Sequence, residues 1–138
     1  MITTRIFMLT VLLVASLLAV HGWRWMASRR LQRIAEQALP SAVSKLLRSD
    51  QPAFLYFTTP ECSQCRFRQS PILTQVQQQF GVHVVTVDAA EQPEIADFYG
   101  VMTVPSTVLL DREQRAVAIN HGLTTVLHLQ QQLSAIAA

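Results

Sequence analysis

The 138-residue chain predicts an α/β domain behind a single membrane-spanning helix, and three features carry that reading. Residues 6–20, IFMLTVLLVASLLAV, hold no charge and only Thr10 and Ser16 as polar residues. After residue 52, short β-branched and aromatic runs alternate with helix-period segments, the pattern of parallel crossover units. The only two cysteines, Cys62 and Cys65, stand three residues apart where the first such run gives way to a helix. Half the residues are hydrophobic and 14% are charged, an imbalance that the first 26 residues largely explain.

A helix needs about 20 mostly apolar residues to cross a bilayer, and the stretch from Ile6 to Met26 supplies them, with Trp23 and Trp25 where an interfacial aromatic belt lies. A cleaved signal peptide is the competing reading, but Ala19-Val20-His21 ends in a bulky residue and Val20-His21-Gly22 is a weak cleavage site. The expected organisation is an uncleaved anchor over 1–26, a basic juxtamembrane helix or linker over 27–39, and a compact domain over 40–138. Charge divides along the same lines. Residues 1–50 carry seven basic side chains against Glu36 and Asp50, while residues 51–138 carry four basic against seven acidic ones. The basic half adjoins the apolar run, so it suits an anionic membrane face, and the acidic half offers nothing to a nucleic-acid backbone. Arg24, Arg29, Arg30 and Arg33 follow the apolar run while only Arg5 precedes it, which by positive-inside counting turns the domain toward the cytoplasm. A short basic N-terminus before an apolar core also suits an exporting signal, which would put the domain outside.

Within the domain, Pro40 stops the juxtamembrane helix and Ser41 is placed to cap a short helix through Arg48. Ala53 to Thr58 (AFLYFT) is a buried strand, and Cys62 opens a helix running to about Phe80, bent at Pro71 and ended by Gly81. Val82 to Asp88 is a second strand, and Pro93 to Tyr99 a short helix closed by Gly100. Two further strands, Thr107 to Leu110 and Ala116 to Asn120, flank the turn at 111–114. Thr124 is placed to cap the last helix, whose apolar face is Val126, Leu127, Leu129, Leu133 and Ile136.

Two thiols cannot form a secreted disulfide framework, and C-x-x-C spacing favours redox or metal chemistry over an inert staple. At a helix N-terminus the dipole and unpaired N–H groups favour a Cys62 thiolate, and Cys65, one turn deeper, can attack a mixed disulfide formed there. A mononuclear structural zinc site wants four ligands, and the remaining candidates are scattered histidines.

Around these cysteines the chain resembles the thioredoxin family over about residues 40–138. The resemblance rests on SDQPAFLYFTTPECSQC, on EQPEIADFYGVMTVPSTVLL, and on NHGL before the last helix. It implies a central mixed sheet of about four strands flanked by helices, and thiol–disulfide exchange with partner proteins. Cys62 would then be the nucleophile and Cys65 the resolving thiol. Pro105 would be a cis-proline opposite them, and the backbone of Val104 would pair with an extended substrate beside the Gly122 turn. Electrons would pass to or from another dithiol protein, with no organic cofactor and no metal. Departures from the family pattern bear on tuning. Glu61 replaces the usual Trp, Tyr56 the usual buried Asp and Val84 the usual Lys, Ser63-Gln64 is an unfamiliar inner pair, and Pro71 follows Cys65 by six residues instead of five. The Glu61 carboxylate opposes a thiolate next to it, whereas a His121 imidazolium beside the cysteines would favour one. Two other functions compete with exchange: handling of a soft ion such as Cu(I) by the cysteine pair, and a binding module that has lost turnover.

Overall fold

The computed structural model describes residues 2–37, 39–47 and 50–137. It divides into two compact units, one through Arg33 and one from Ile34 onward.

The first unit is most of a single helix, α1 (Ile2–Glu36). This helix is long and apolar enough to cross a membrane, a test that a signal sequence also passes. Leu9, Leu12, Leu18 and Trp23 are all exposed along it. Thr10 and Ser16 donate their hydroxyls to the carbonyls of Phe7 and Leu13, so neither presents a free donor on the apolar surface. The Arg29 guanidinium lies 3.6 Å from the Trp25 ring centroid, a cation–π contact within the helix itself.

The second unit is a four-stranded mixed sheet flanked by helices. Its elements after α1 are α2 (Ser41–Ser44), β1 (Ala53–Thr58), α3 (Ser70–Phe80), β2 (His83–Asp88), α4 (Pro93–Tyr99), β3 (Ser106–Leu110), β4 (Ala116–His121) and α5 (Val126–Ala137). A π-helical turn, Cys65–Gln69, leads into α3. The strand order is β2-β1-β3-β4. Strand β1 runs parallel to β2 and antiparallel to β3, and β3 pairs antiparallel with β4 across a register shift at Leu109/Leu110.

Successive β1 side chains point to opposite faces, and both faces are covered. Phe54 and Tyr56 join Cys65, Leu73 and Val76 and the buried Leu129 of α5 in one cluster. Leu55 and Phe57 join Val43, Ile95 and Tyr99 in the other. The parallel pair needs a crossover, and α3 provides it. Gly81 and Gly100 end α3 and α4 in the left-handed conformation, φ 65° at each, as their positions after the last apolar residues imply.

Several details differ from the sequence reading. Pro40, not Ser41, precedes the first turn of α2, and no side chain caps it. Its expected end at Arg48 lies outside the described residues. Strand β2 begins at His83, β3 at Ser106, and β4 continues to His121. Thr125, not Thr124, caps α5, its Oγ accepting the His128 N–H at 3.3 Å. The Thr124 N–H is already committed to another partner, described below.

Tyr99 marks a weak point in the cluster it shares with Leu55 and Phe57. Its ring is wedged edge-on against Phe57 and Phe98. Its hydroxyl is buried with no hydrogen-bond partner among the described residues, and burial holds the phenol well above its ordinary pKa. A raised folded-state pKa leaves stability intact below the unfolded value of about 10, and that stability is lost as pH rises toward the folded value. Tyr99→Phe removes an unsatisfied donor without changing the packing. It should therefore raise stability at neutral pH by about 1 kcal/mol and abolish this residue's part in alkaline unfolding. Urea titrations of both proteins at neutral pH and above pH ~10 check both expectations.

Candidate functional site

Strand pairing brings three loops to one edge of the sheet. Phe57 of β1 lies opposite Ser106 of β3, and Ser106 lies opposite His121 of β4. The loops that leave β1, enter β3 and leave β4 therefore share the edge at the carboxyl end of the parallel pair, where open α/β sheets place their ligands.

The loop after β1 carries the cysteines. Residues 59–62 form a tight turn in which the Cys62 N–H donates to the Thr59 carbonyl at 3.2 Å. Arg66, exposed, reaches back to the Pro60 carbonyl at 3.2 Å and holds the loop from outside. Cys62 stands just before the first helical turn, its carbonyl accepting the Arg66 N–H. Cys62 and Cys65 are joined as a disulfide. The two sulfurs differ in access: Cys65 is buried at 1% exposure, while Cys62 is partly open. The Cys65 N–H points at Cys62 Sγ, 3.1 Å away. A backbone donor aimed at a sulfur, at a helix N-terminus, favours the charged form of that sulfur once the disulfide opens.

The helix does not continue as α. Between Cys65 and Gln69 it widens to a π turn, in which the Ser70 N–H donates to the Cys65 carbonyl five residues back. Such a turn holds one residue more than an α turn. The extra residue accounts for Pro71 following Cys65 by six positions instead of five. Pro71 follows directly after the π turn as the second residue of α3, inside a run that is helical without a break from Ser63. The Cys65 carbonyl is the hub of the bulge. It accepts from Ser70 Oγ at 2.9 Å and from the Tyr56 hydroxyl at 3.0 Å as well as from the Ser70 N–H. Tyr56 and Ser70 also lie 3.2 Å apart, oxygen to oxygen. In the sequence Tyr56 reads as a core aromatic at a position the thioredoxin pattern gives to a carboxylate. Here its hydroxyl braces the backbone of the second cysteine. Nothing in the sequence marks Ser70 as part of the site, although the displaced proline is the signal that finds it.

The second loop brings Val104 and Pro105, joined by a cis peptide bond. Val104 and Cys62 both pack against the cluster that contains Cys65 and Tyr56, so the proline loop and the disulfide share one apolar base. A shallow cleft of about 290 Å³ runs between Thr59 of the cysteine loop, Ala90, Pro93 and Asp97 beyond β2, and Met102 to Val104. Met102, at 88% exposure, forms its outer lip. In the third loop Gly122, at φ 85°, donates its N–H to the Pro105 carbonyl at 2.8 Å, locking the two loops together. A side chain is rarely accommodated at that φ.

Glu61, Ser63 and Gln64 are exposed around the disulfide, with Ser63 and Gln64 in the first helical turn. His121 is exposed at the end of β4, opposite Ser106. His128 belongs elsewhere: its Nε2 lies 3.2 Å from Asn120 Oδ1 and 3.1 Å from Gln132 Nε2. No three His, Cys, Asp or Glu side chains converge in a metal-binding group among the described residues.

A CxxC disulfide at the helix start, a cis-proline loop facing the same edge, and a β2-β1-β3-β4 mixed sheet define a thioredoxin-like thiol–disulfide oxidoreductase. Within that class, the chain belongs to the TraF family, described as F plasmid transfer operon protein, which matches residues 24–134. Thioredoxin 1 of Nostoc sp. is 30% identical over 73 residues, 51% of this chain and 67% of that one. Thioredoxin 1 of Synechococcus elongatus is 32% identical over the same share of each chain. Among solved structures, a single-substitution mutant of the thioredoxin from Halobacterium salinarum is similar, with a TM-score of 0.62 at 22% identity, covering 74% of this chain and 88% of that one. Mitochondrial thioredoxin 3 of Saccharomyces cerevisiae, in its oxidised form, gives a TM-score of 0.60 at 22% identity, covering 69% and 88%. These two likenesses are of fold.

Proposed function

We propose that the chain is a membrane-anchored thiol–disulfide oxidoreductase that exchanges disulfides with partner proteins, Cys62 attacking and Cys65 releasing. The unequal access of the two sulfurs carries this reading, together with the backbone N–H aimed at the more open one. In the reducing direction, the Cys62 thiolate attacks one sulfur of a partner disulfide. The Cys62–partner S–S bond forms, the partner's own S–S bond breaks, and one partner thiolate departs. Cys65, deprotonated, then attacks Cys62 Sγ. The Cys62–Cys65 disulfide forms, the second partner thiolate leaves, and two electrons have passed to the partner. A dithiol protein returns the enzyme to its reduced form, and oxidation of a partner is the same sequence reversed. An extended partner strand would lie along Val104 and Pro105, with the Gly122 loop on its far side.

No carboxylate stands at Tyr56, so the proton of Cys65 has no buried base at that position to receive it in the release step. The hydroxyls of Tyr56 and Ser70 are engaged with the Cys65 carbonyl, which orients the helix and leaves deprotonation of Cys65 to solvent or to the departing thiolate. The working organisation is an anchor over 1–26, a basic juxtamembrane segment over 27–39, and the redox domain over 40–138. The length and apolarity of α1 support the anchor.

With Cys65→Ser, attack proceeds and release does not, so partner proteins should accumulate as mixed disulfides on Cys62. With Cys62→Ser, trapping should fall by about ten-fold or more, because the remaining thiol is buried. Non-reducing electrophoresis of the two variants measures this. Equal trapping by both would overturn the assignment of roles.

The arginines that follow the apolar run favour the cytoplasmic side of the membrane for the domain. A membrane-impermeant maleimide added to intact cells after mild reduction should leave Cys62 unlabelled until the cells are permeabilised. Labelling without permeabilisation would mean that the domain lies outside.

A further inference from the structure

Gln69 is a fully buried amide side chain on the redox helix, and the exchange chemistry as described does not use it. It sits at the end of the π turn, four residues after Cys65. Its Oε1 accepts the backbone N–H of Thr124 at 2.8 Å, across 55 residues of sequence. Its Nε2 has no hydrogen-bond partner among the described residues. A buried amide with an idle donor is an unfavourable choice for packing alone, since an apolar side chain of the same shape carries no such cost. What the amide supplies here is the acceptor.

The partner explains the need for it. Thr124 lies in the loop between β4 and α5, two residues after Gly122. That loop is tied at one end by the Gly122 N–H to the Pro105 carbonyl. Its other end begins α5, where Thr125 is spent on capping. The Gln69 amide thus supplies the hydrogen bond that joins the loop to the helix bearing the cysteines. Gln69 is in phase with α3: Leu73 and Val76, four and seven residues on, share its buried face, so the helix that packs on the sheet carries the contact.

We infer that Gln69 is a positioning residue for substrate docking: through Thr124 it sets the Gly122 loop, and with it the Val104–Pro105 segment that this loop holds, against the cysteine helix. This rests on the proposed function above, in which Val104, Pro105 and Gly122 hold the partner strand. A small disulfide, which needs no groove, should be indifferent to Gln69. A protein disulfide should not be.

The test uses the whole chain in detergent, with insulin as the protein disulfide and oxidised glutathione as the small one. Gln69→Met keeps the shape and removes the acceptor. It should raise KM for insulin roughly five-fold, the scale of one neutral hydrogen bond, with kcat and the glutathione rate unchanged. Gln69→Glu, held as the neutral acid by burial, keeps an oxygen acceptor and should restore most of the lost KM. Should the Met variant fail to fold, Gln69→Asn retracts the acceptor by one methylene and should shift KM in the same direction. An unchanged insulin KM in a folded Met or Asn variant overturns the role of Gln69, as does an equal loss on insulin and glutathione. A wild-type chain inert toward both disulfides overturns the exchange reading beneath it instead.

Discussion

Five of the six residues of β1, Ala53 to Phe57, are paired on both edges and buried, and the rest of the domain is arranged around that condition. A strand with β2 on one side and β3 on the other satisfies its backbone groups within the sheet, so its side chains are free to be almost wholly apolar. Leu55 and Phe57 are fully buried on one face, Phe54 on the other. Each such side chain contributes on the order of 2–3 kcal/mol when withdrawn from water. Because β1 cannot slip by one residue without exchanging its faces, the point where it ends is fixed, and the cysteine loop begins there. The antiparallel register with β3 brings the proline loop to that same point. The chemistry therefore sits on short loops held by a rigid strand.

Tyr56 belongs to both layers of this arrangement. As a β1 residue it faces the cluster under α3 and α5. As a hydroxyl it meets the Cys65 carbonyl together with Ser70, at the place where the helix takes in its extra residue. A carbonyl that accepts three donors compensates for the α-helical bond lost at the bulge. Gln69, at the end of the widened turn, meets the third loop at the Thr124 N–H. Two departures from the thioredoxin pattern meet here: the Tyr56 phenol braces the carbonyl at the head of the π turn, and the displaced Pro71 follows directly after that turn.

Most of the fold can be read from local signals strong enough to survive tertiary context. AFLYFT and HVVTVD are strands because their β-branched and aromatic residues suit a pleated, buried surface. Gly81 and Gly100 end helices because glycine, with no Cβ, takes φ near +65° at no steric cost. The cysteine spacing, the VPST segment and NHGL locate the three loops. The π turn is hidden, because hydrophobic periodicity treats a helix as uniform and only Ser63 and Gln64 precede the bulge, too few to show a change of phase. Its trace is the position of Pro71. Gln69 is missed for a different reason: the wheel places it with Leu73 and Val76, four and seven residues on, but a lone amide gives no sign of the partner 55 residues away that uses it. Thr124 and Thr125 are chemically equivalent as caps, so only the competing bond to Gln69 decides which of them performs that task.

The central claim is that the helix start, and the Cys65 N–H in particular, makes Cys62 the reactive thiol. The most direct measurement is the pH dependence of alkylation at each cysteine of the reduced chain, resolved by peptide mass spectrometry. The account predicts that Cys62 reacts first, with an apparent pKa below the ordinary thiol value of about 8.5, and that Cys65 reacts slowly across the range. A Cys62 that titrates at or above that value, or a Cys65 that is modified first, would contradict it.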